Sequence, residues 1–303
     1  MSHVARSTPA ALFSALLLSL AASTATAGEA PAVREANFRV SGDYTWHHYF
    51  SEEAFQFRPG PTELVDIEQV DIDDGGFTAT YVAPLPSLGD EFGVRAFAGP
   101  RFTKTHVDVV STTETYGVTM GGDVFWRDPA VGEAGVGTFY AWDESERGSV
   151  ERSNHEAGVV AFGKLFLGTP GQGLPLDLDL NLAFSDADID SGGADSAIRT
   201  YSADGGVRAY LNDHAAVRLG GIWSRTNLGA TDHVEDRFAT IDLEVLLPTD
   251  RNVILGGGFI VGKRNESFIE FQNYGRFVFG ITLNATVSFT GAESLAELRR
   301  NFF

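Results

Sequence analysis

The sequence of 303 residues contains no cysteine and comparatively few basic residues. Without cysteine, neither disulfide bonds nor thiol chemistry is available, so stability has to come from side-chain packing and backbone pairing. Lysine and arginine together number 22 against 41 aspartates and glutamates, which gives a formal net charge of -19. Nucleic acid is therefore a poor partner, because its phosphates repel an acidic protein.

Long apolar runs are also missing, which excludes a helical membrane protein, since a spanning helix needs about 18 or more apolar residues. The one apolar stretch, Ala10 to Ala22, follows Arg6 and precedes the small-residue site Ala25-Thr26-Ala27. This three-part pattern predicts a secretory signal peptide over residues 1–27. Its removal takes away one basic residue and leaves 21 basic against 41 acidic groups.

A two-residue alternation of apolar and mostly polar residues is the main positive signal. The clearest case has apolar residues at every second position: Phe277, Phe279, Ile281, Leu283, Ala285, Val287 and Phe289. Successive side chains of a β-strand point to opposite sides, so this segment has one wholly apolar face. Tilted by about 40°, a strand over 277–289 climbs roughly 34 Å, enough to cross the ~25 Å apolar band of an outer membrane.

Similar alternation, bounded by turn residues, predicts about twelve strands over residues 28–289. They lie near 37–48, 76–83, 90–103, 115–127, 134–143, 155–167, 175–185, 198–211, 214–225, 237–247, 251–263 and 274–289. Short Pro-, Gly- and Asn-rich turns alternate with longer acidic links near 49–75, 104–114, 144–154, 186–197, 226–236 and 264–273. The pattern predicts an all-β fold, a closed antiparallel transmembrane barrel with long acidic outer loops. A soluble β-sandwich is the alternative, but its strands are usually shorter.

The two faces of the predicted strands differ in a way that suits a barrel in lipid. Leu176, Leu178 and Leu180 alternate with Asp177 and Asp179. We therefore expect apolar side chains to face lipid and polar ones to face a lumen. Aromatic residues fall near both strand ends, as the two interfacial girdles of a barrel require.

With these features the chain resembles the Gram-negative outer-membrane β-barrel proteins and, by strand count, the smaller porin-like channels. The resemblance implies an outer-membrane location, contact with lipid and lipopolysaccharide, and assembly by the barrel-assembly machinery, which recognises a C-terminal aromatic residue. Phe289 and Phe303 are the two candidates for that signal. Residues 290–303 form a predicted periplasmic tail, within which 292–300 can make a short helix.

Charged residues at the predicted inward positions are the candidate pore lining. They are Arg39, Arg95, Arg101, Asp123, Lys164, Asp177, Asp179, Arg208, Arg218, Asp242, Glu244 and Arg276. Rings of charge control ion passage in pores. We expect a narrow charged lumen through which small hydrophilic solutes or ions diffuse, without a cofactor. The alternative is that these charges pair with one another and fill the interior of a structural or binding barrel.

Two further groups of residues are candidate sites of chemistry. Asp186, Asp188 and Asp190 have the alternating spacing of a calcium loop, although Ser191 and Ala197 stand where such a loop needs glycine and glutamate. A solvated acidic loop is the favoured interpretation of these residues, and calcium binding in an outer loop is the alternative expectation.

Ser153 and His155 are two residues apart, so they could share one strand face in an outer-membrane hydrolase acting on phospholipid or lipopolysaccharide. The flanking residues of the lipid-cleaving barrels are not reproduced around them. The sequence therefore favours a protein that is not an enzyme.

Overall fold

A computed structural model describes residues 36–51, 70–107, 111–147, 150–169, 172–190, 196–229, 232–247, 252–267, 274–289, 292 and 294–302. Twelve strands account for most of them. They are β1 (Asn37–Ser51), β2 (Val70–Pro84), β3 (Phe92–Val107), β4 (Ser111–Asp128), β5 (Gly132–Arg147), β6 (Val150–Thr169), β7 (Gln172–Asp190), β8 (Ser196–Asn212), β9 (Ala215–Leu228), β10 (Asp232–Leu247), β11 (Val253–Ser267) and β12 (Tyr274–Ser288). The predicted signal peptide, residues 1–27, lies outside the described residues.

Each strand pairs antiparallel with its sequence neighbours, and β1 pairs with β12 to close the barrel. The closing ladder runs from Arg39 opposite Ser288 to Ser51 opposite Arg276. Among the twelve strands described, closure leaves no edge with free backbone groups, which lipid could not satisfy. The predicted closed antiparallel barrel of about twelve strands is confirmed.

Every second side chain of each strand points outward, and this outward series is largely apolar, so the outer wall is apolar. Phe77, Val136 and Leu283 are more than half exposed there. Outward aromatic side chains also stand near the two ends of the strands. At the end where β1 begins and β12 ends, the Phe38 and Phe289 rings are 5.6 Å apart. We call this end periplasmic, because bacterial barrels place their short turns there.

At the opposite, outer end the structure differs from the sequence prediction. The strands are 14 to 20 residues long, and they run through most of the segments predicted as long acidic loops. For example, β5 ends at Arg147 and β6 begins at Val150, inside the predicted loop 144–154. The sequence signal ended where the apolar face ended, but backbone pairing continues where both faces are polar. The first predicted loop falls mainly on residues 52–69, which lie outside the described residues.

The C-terminal segment forms one helix, α1 (Leu295–Phe302). Ser294 begins it as an N-cap: its hydroxyl accepts a hydrogen bond from the backbone N–H of Glu297 at 3.1 Å. Glu297 near the start and Arg299 and Arg300 near the end also suit the helix dipole. Among the residues described, no helix is both long enough and apolar enough to span a membrane.

Candidate functional site: a charged lumen

The strand alternation places the sequence-predicted pore residues on the lumen side. Three cavities of about 430, 360 and 400 Å³ open inside the barrel. They are lined in part by Arg39, Arg95, Arg101, Asp123, Lys164, Asp179, Arg208, Arg218, Asp242 and Glu244. Asp177 and Arg276 do not line these cavities. Asp177 is buried near the periplasmic end, and the Arg276 Nε atom lies 3.4 Å from a carboxylate oxygen of Glu266. Whether solutes pass along these residues stays a prediction.

Arg218 of β9 is the centre of the network at mid-height. Its Nη2 atom lies 2.7 Å from Asp179 Oδ2 and 3.0 Å from Asp204 Oδ1, and its Nη1 atom lies 3.9 Å from Asp242 Oδ2. A Cβ atom at Gly220, on the same strand, would lie only 2.6 Å from Arg218 Nη1. Glycine at that position therefore leaves room for the guanidinium to lie flat between the carboxylates.

A second network lies near the periplasmic end, on the side of β3 to β6. Arg95 Nε donates a hydrogen bond to Asp123 at 2.9 Å, and Arg95 Nη2 donates to Glu133 at 3.2 Å. The Arg127 guanidinium also donates to Glu133, whose side chain is completely buried. The Arg95 guanidinium lies 4.8 Å from the centre of the Phe162 ring. Buried charges of opposite sign and aromatic faces here form a packed layer.

Sequence reasoning missed Glu133 as a lumen residue because the predicted strand began one residue later. The structure starts β5 at Gly132, which puts Glu133 in the inward series. Glu133 lies two residues before Gly135, which begins the inward pair Gly135 and Gly137. Continuing the alternation by this one step towards the turn would have identified Glu133 as an inward residue.

A third network lies towards the outer end of the barrel. Arg101 binds Asp143 and lies 3.7 Å from Glu156, and all three lie in predicted strands. On the opposite side, Arg264 Nε lies 2.7 Å from Asp236 Oδ1. These last two residues belong to segments that the sequence prediction assigned to loops, so on this side the interior charges extend further outwards than predicted.

Helix α1 lies against inward-facing residues of the barrel at the periplasmic end. Leu295 and Leu298 are fully buried in a cluster with Tyr210, Leu246 and Ile254 of β8, β10 and β11. The sequence predicted a short helix in this tail, but no signal in it placed the helix in the barrel mouth. A two-turn amphipathic helix fits an external tail equally well.

Two ion pairs hold the C-terminal turn of α1 in this position. Arg299 Nη2 lies 2.8 Å from Glu244 Oε1, and Arg300 Nη2 lies 2.9 Å from Asp177 Oδ1. Arg300 also donates to the backbone carbonyl oxygen of Gly168 at 2.8 Å, and the Tyr210 hydroxyl donates to Asp177. Both predicted pore residues Asp177 and Glu244 therefore anchor the helix.

The residues of the predicted calcium site lie in β7, not in a loop. Asp186 and Asp188 are on the outward face of that strand, and a carboxylate oxygen of Asp186 is 3.5 Å from Arg199 Nε. The side chain of Asp190 lies outside the described residues. In the part of the chain that the structure describes, no three histidine or acidic side chains are grouped to hold a metal ion. Calcium binding stays a prediction.

Ser153 and His155 both lie on the outward face of β6. The His155 Nδ1 atom is 2.7 Å from the hydroxyl of Tyr140 on β5. This contact occupies the ring nitrogen that an orienting carboxylate takes in a serine-histidine-aspartate triad. Asp188 stands opposite His155 in the β6–β7 ladder and also faces outward, whereas Asp143 and Glu156 face the lumen.

Comparisons with known proteins bear on the fold. No family model matches the sequence, and no curated protein matches it. Among solved structures, an outer-membrane channel from Pseudomonas putida F1 is 12% identical, with 87% of this chain and 100% of that chain covered and a TM-score of 0.51. A Pseudomonas aeruginosa FadL homologue is 11% identical, with 86% and 92% covered and a TM-score of 0.47.

The translocator domain of the autotransporter NalP from Neisseria meningitidis is a further match at 11% identity, with 91% of this chain and 95% of that chain covered and a TM-score of 0.41. The match above a TM-score of 0.5, the outer-membrane channel from Pseudomonas putida F1, shows that the chain shares the fold of that protein. The closed barrel and its apolar outer wall agree with the predicted location in the outer membrane. The predicted contacts with lipopolysaccharide and with the assembly machinery stay predictions.

Proposed function

We propose that the protein is an outer-membrane channel for the passive passage of small hydrophilic solutes or ions, with α1 as a plug in its periplasmic mouth. The observation that supports this function is the lining of the lumen. Its cavities are bounded by guanidinium, carboxylate and hydroxyl groups. Such a wall favours polar solutes over hydrocarbons, because an apolar solute would have to displace water from charged groups without replacing their hydrogen bonds.

We infer the plug from the burial of the apolar residues of α1 in the periplasmic mouth of the barrel. Solute that enters from the outer end meets Arg299, which lines the cavities on both sides of Lys164. Below it lie Leu295 and Leu298, both fully buried. Passage therefore requires α1 to leave the mouth or to tilt away from β8 to β11.

The energetic cost of that movement is moderate. Exposing a buried leucine costs about 2 kcal/mol, so releasing Leu295 and Leu298 costs about 4 kcal/mol. When α1 leaves the mouth, the charged groups of the Arg299 and Arg300 ion pairs become hydrated. Loss of these pairs therefore adds less to the cost of opening than their number suggests. An open state of this energy has a population on the order of 0.1%, which predicts rare openings in the natural chain.

Planar-bilayer recordings test the proposal with a variant that weakens the plug. In the double variant Leu295→Asn, Leu298→Asn, we expect an open fraction at least on the order of tenfold higher than in the natural chain, because two apolar contacts are lost. Glu297→Gln on the same helix is the matched control and should leave the openings unchanged. Circular dichroism of the β-sheet confirms that each protein is folded before recording.

If the folded natural chain and the folded double variant both give no current steps over a range of voltages, the channel function is wrong. The chain is then a plugged structural or binding barrel, which the extensive pairing of lumen charges would explain. The fold shared with an outer-membrane channel fits a barrel that is not an enzyme. A lipid-hydrolysis assay with the natural chain checks the Ser153 and His155 alternative separately.

A further inference from the structure

The largest of the three cavities lies directly above α1 and has a markedly positive wall. Its volume is about 430 Å³. Among the described residues that line it, four carry a cationic side chain, namely Arg39, Arg95, Lys164 and Arg299, and Asp123 carries a carboxylate. They come from β1, β3, β6 and α1, so the positive charge converges from different sides of the lumen.

The acidic groups near these cations are shared among several of them. Glu133 lies 3.2 Å from Arg95 Nη2 and 4.0 Å from Lys164 Nζ, and it also binds Arg127. Glu244 similarly lies 3.2 Å from Arg208 Nε and 2.8 Å from Arg299 Nη2. Of the other acids nearby, Asp123 lies 2.9 Å from Arg95 Nε, and Asp179, opposite Lys164 in the β6–β7 ladder, binds Arg218. Because each of these carboxylates is shared or already bound, cationic groups outnumber carboxylates here.

The electrostatic surroundings of Arg39 and Lys164 show the same imbalance. The charged groups that act most strongly on Arg39 are the cations Arg95, Arg299 and Arg127 and a single carboxylate, Glu133. The same four groups act on Lys164. Cations held this close in a low-dielectric interior repel one another, and an anion placed among them removes that repulsion.

Neutral groups in the same wall complete a donor set for an anion. Hydroxyls of Ser41, Thr78, Thr80 and Thr286 and the amide of Asn181 line the cavity. Hydroxyl and amide donors beside guanidinium groups are the combination that binds phosphate and carboxylate oxygens. The volume also falls within the range of small-molecule sites.

We propose that this cavity is a binding site for a small oxyanion, a phosphate or a carboxylate, held by Arg39, Arg95, Lys164 and Arg299. The claim that this anion is a solute of the channel rests on the proposed function. Binding of the anion to the cavity can be measured without recording any current. Because Arg299 belongs to α1, the site is complete only when the helix is docked.

Isothermal titration of the folded full-length protein in detergent micelles tests this site, with inorganic phosphate as the probe and ionic strength held constant. We expect saturable binding by the natural chain. The substitution Arg39→Gln should weaken it on the order of tenfold or more, because a charge-assisted contact is lost. Arg276→Gln is the matched control: it removes a lumen arginine near the outer end that pairs with Glu266, and it should leave binding unchanged.

A second arm replaces phosphate by acetate, and the tighter of the two probes identifies the anion class. Lys164→Gln provides an independent variant in case Arg39→Gln fails to fold, and it should weaken binding similarly. Absence of saturable binding of either probe to the natural chain, or binding that Arg39→Gln and Lys164→Gln both retain undiminished, overturns the site. Binding without bilayer current would leave the site standing and reject the channel, whereas current without binding would do the opposite.

Discussion

At the scale of single residues, the lumen depends on buried charges that share partners. Glu133 is the extreme case, with a fully buried side chain in contact with Arg95 and Arg127. Replacing one member of such a group leaves the others buried without their counter-charge, which is more costly than the original pairing was favourable. The stability of the periplasmic half of the barrel should therefore be sensitive to single acidic positions.

We expect Glu133→Gln to lower the free energy of unfolding by about 3 kcal/mol, because it leaves the buried Arg127 and Arg95 short of negative charge. Denaturant unfolding in micelles, followed by tryptophan fluorescence, measures the change. Glu144→Gln, at an exposed outward position of the same strand β5, is the control and should change stability by less than about 0.5 kcal/mol. Equal unfolding midpoints for the two variants would contradict the assigned role of Glu133.

The alternation of side chains along each strand was enough to predict which residues of the candidate site point into the lumen. The side chains of Asp123, Arg218 and Asp242 point inward because each sits opposite an apolar face on its own strand. This alternation does not tell which inward residues contact one another across the barrel. That Arg218 reaches Asp179 and Asp204 depends on the register of β7, β8 and β9, which a single sequence does not encode locally.

At the scale of elements, β12 and α1 behave in opposite ways. β12 has an apolar residue at every second position from Phe277 to Val287, and it forms both the predicted strand and the closing pair with β1. Helix α1 has too few residues for its pattern to specify a partner. Its position depends on Tyr210, Leu246 and Ile254, which belong to three different strands.

The lipid-facing side of β12 gives a test of the fold at this scale. Leu283 is 54% exposed on the outer wall, midway between the aromatic residues Phe277 and Phe289. We expect Leu283→Arg to lower stability in lipid bilayers by about 2–4 kcal/mol, because a cation at the midplane is poorly solvated. His106→Arg, on the outward face near the outer end of β3, should cost only about 0–1 kcal/mol.

Reversible urea unfolding in phospholipid vesicles measures both changes. A similar small cost at both positions would mean that the outer wall around Leu283 does not face hydrocarbon. The depth dependence, rather than either value alone, is the informative result.

At the scale of the whole molecule, closure of the barrel and the apolar character of its outer wall determine the environment in which the protein is stable. The twelve strands leave no free edge among the described residues, and side chains such as Phe77, Tyr116 and Leu219 are more than half exposed on the outside. An apolar surface of this extent is unfavourable in water.

The folded barrel should therefore be monodisperse in detergent and should aggregate when detergent is removed, since its apolar wall then meets water. Analytical ultracentrifugation before and after detergent removal checks this expectation, and reconstitution into vesicles is the control that should restore a dispersed state. A monodisperse species in detergent-free buffer would be incompatible with a lipid-facing wall.

The sequence by itself determined the strand number, the direction in which each side chain points and the transmembrane class, because a period of two is a local property. The tertiary structure alone decided how far the strands extend beyond the apolar band, which charges pair and where α1 lies. These features depend on contacts between residues far apart in the chain, such as Arg300 with Asp177 and Arg299 with Glu244. Only the closed barrel brings those residues within ion-pair distance.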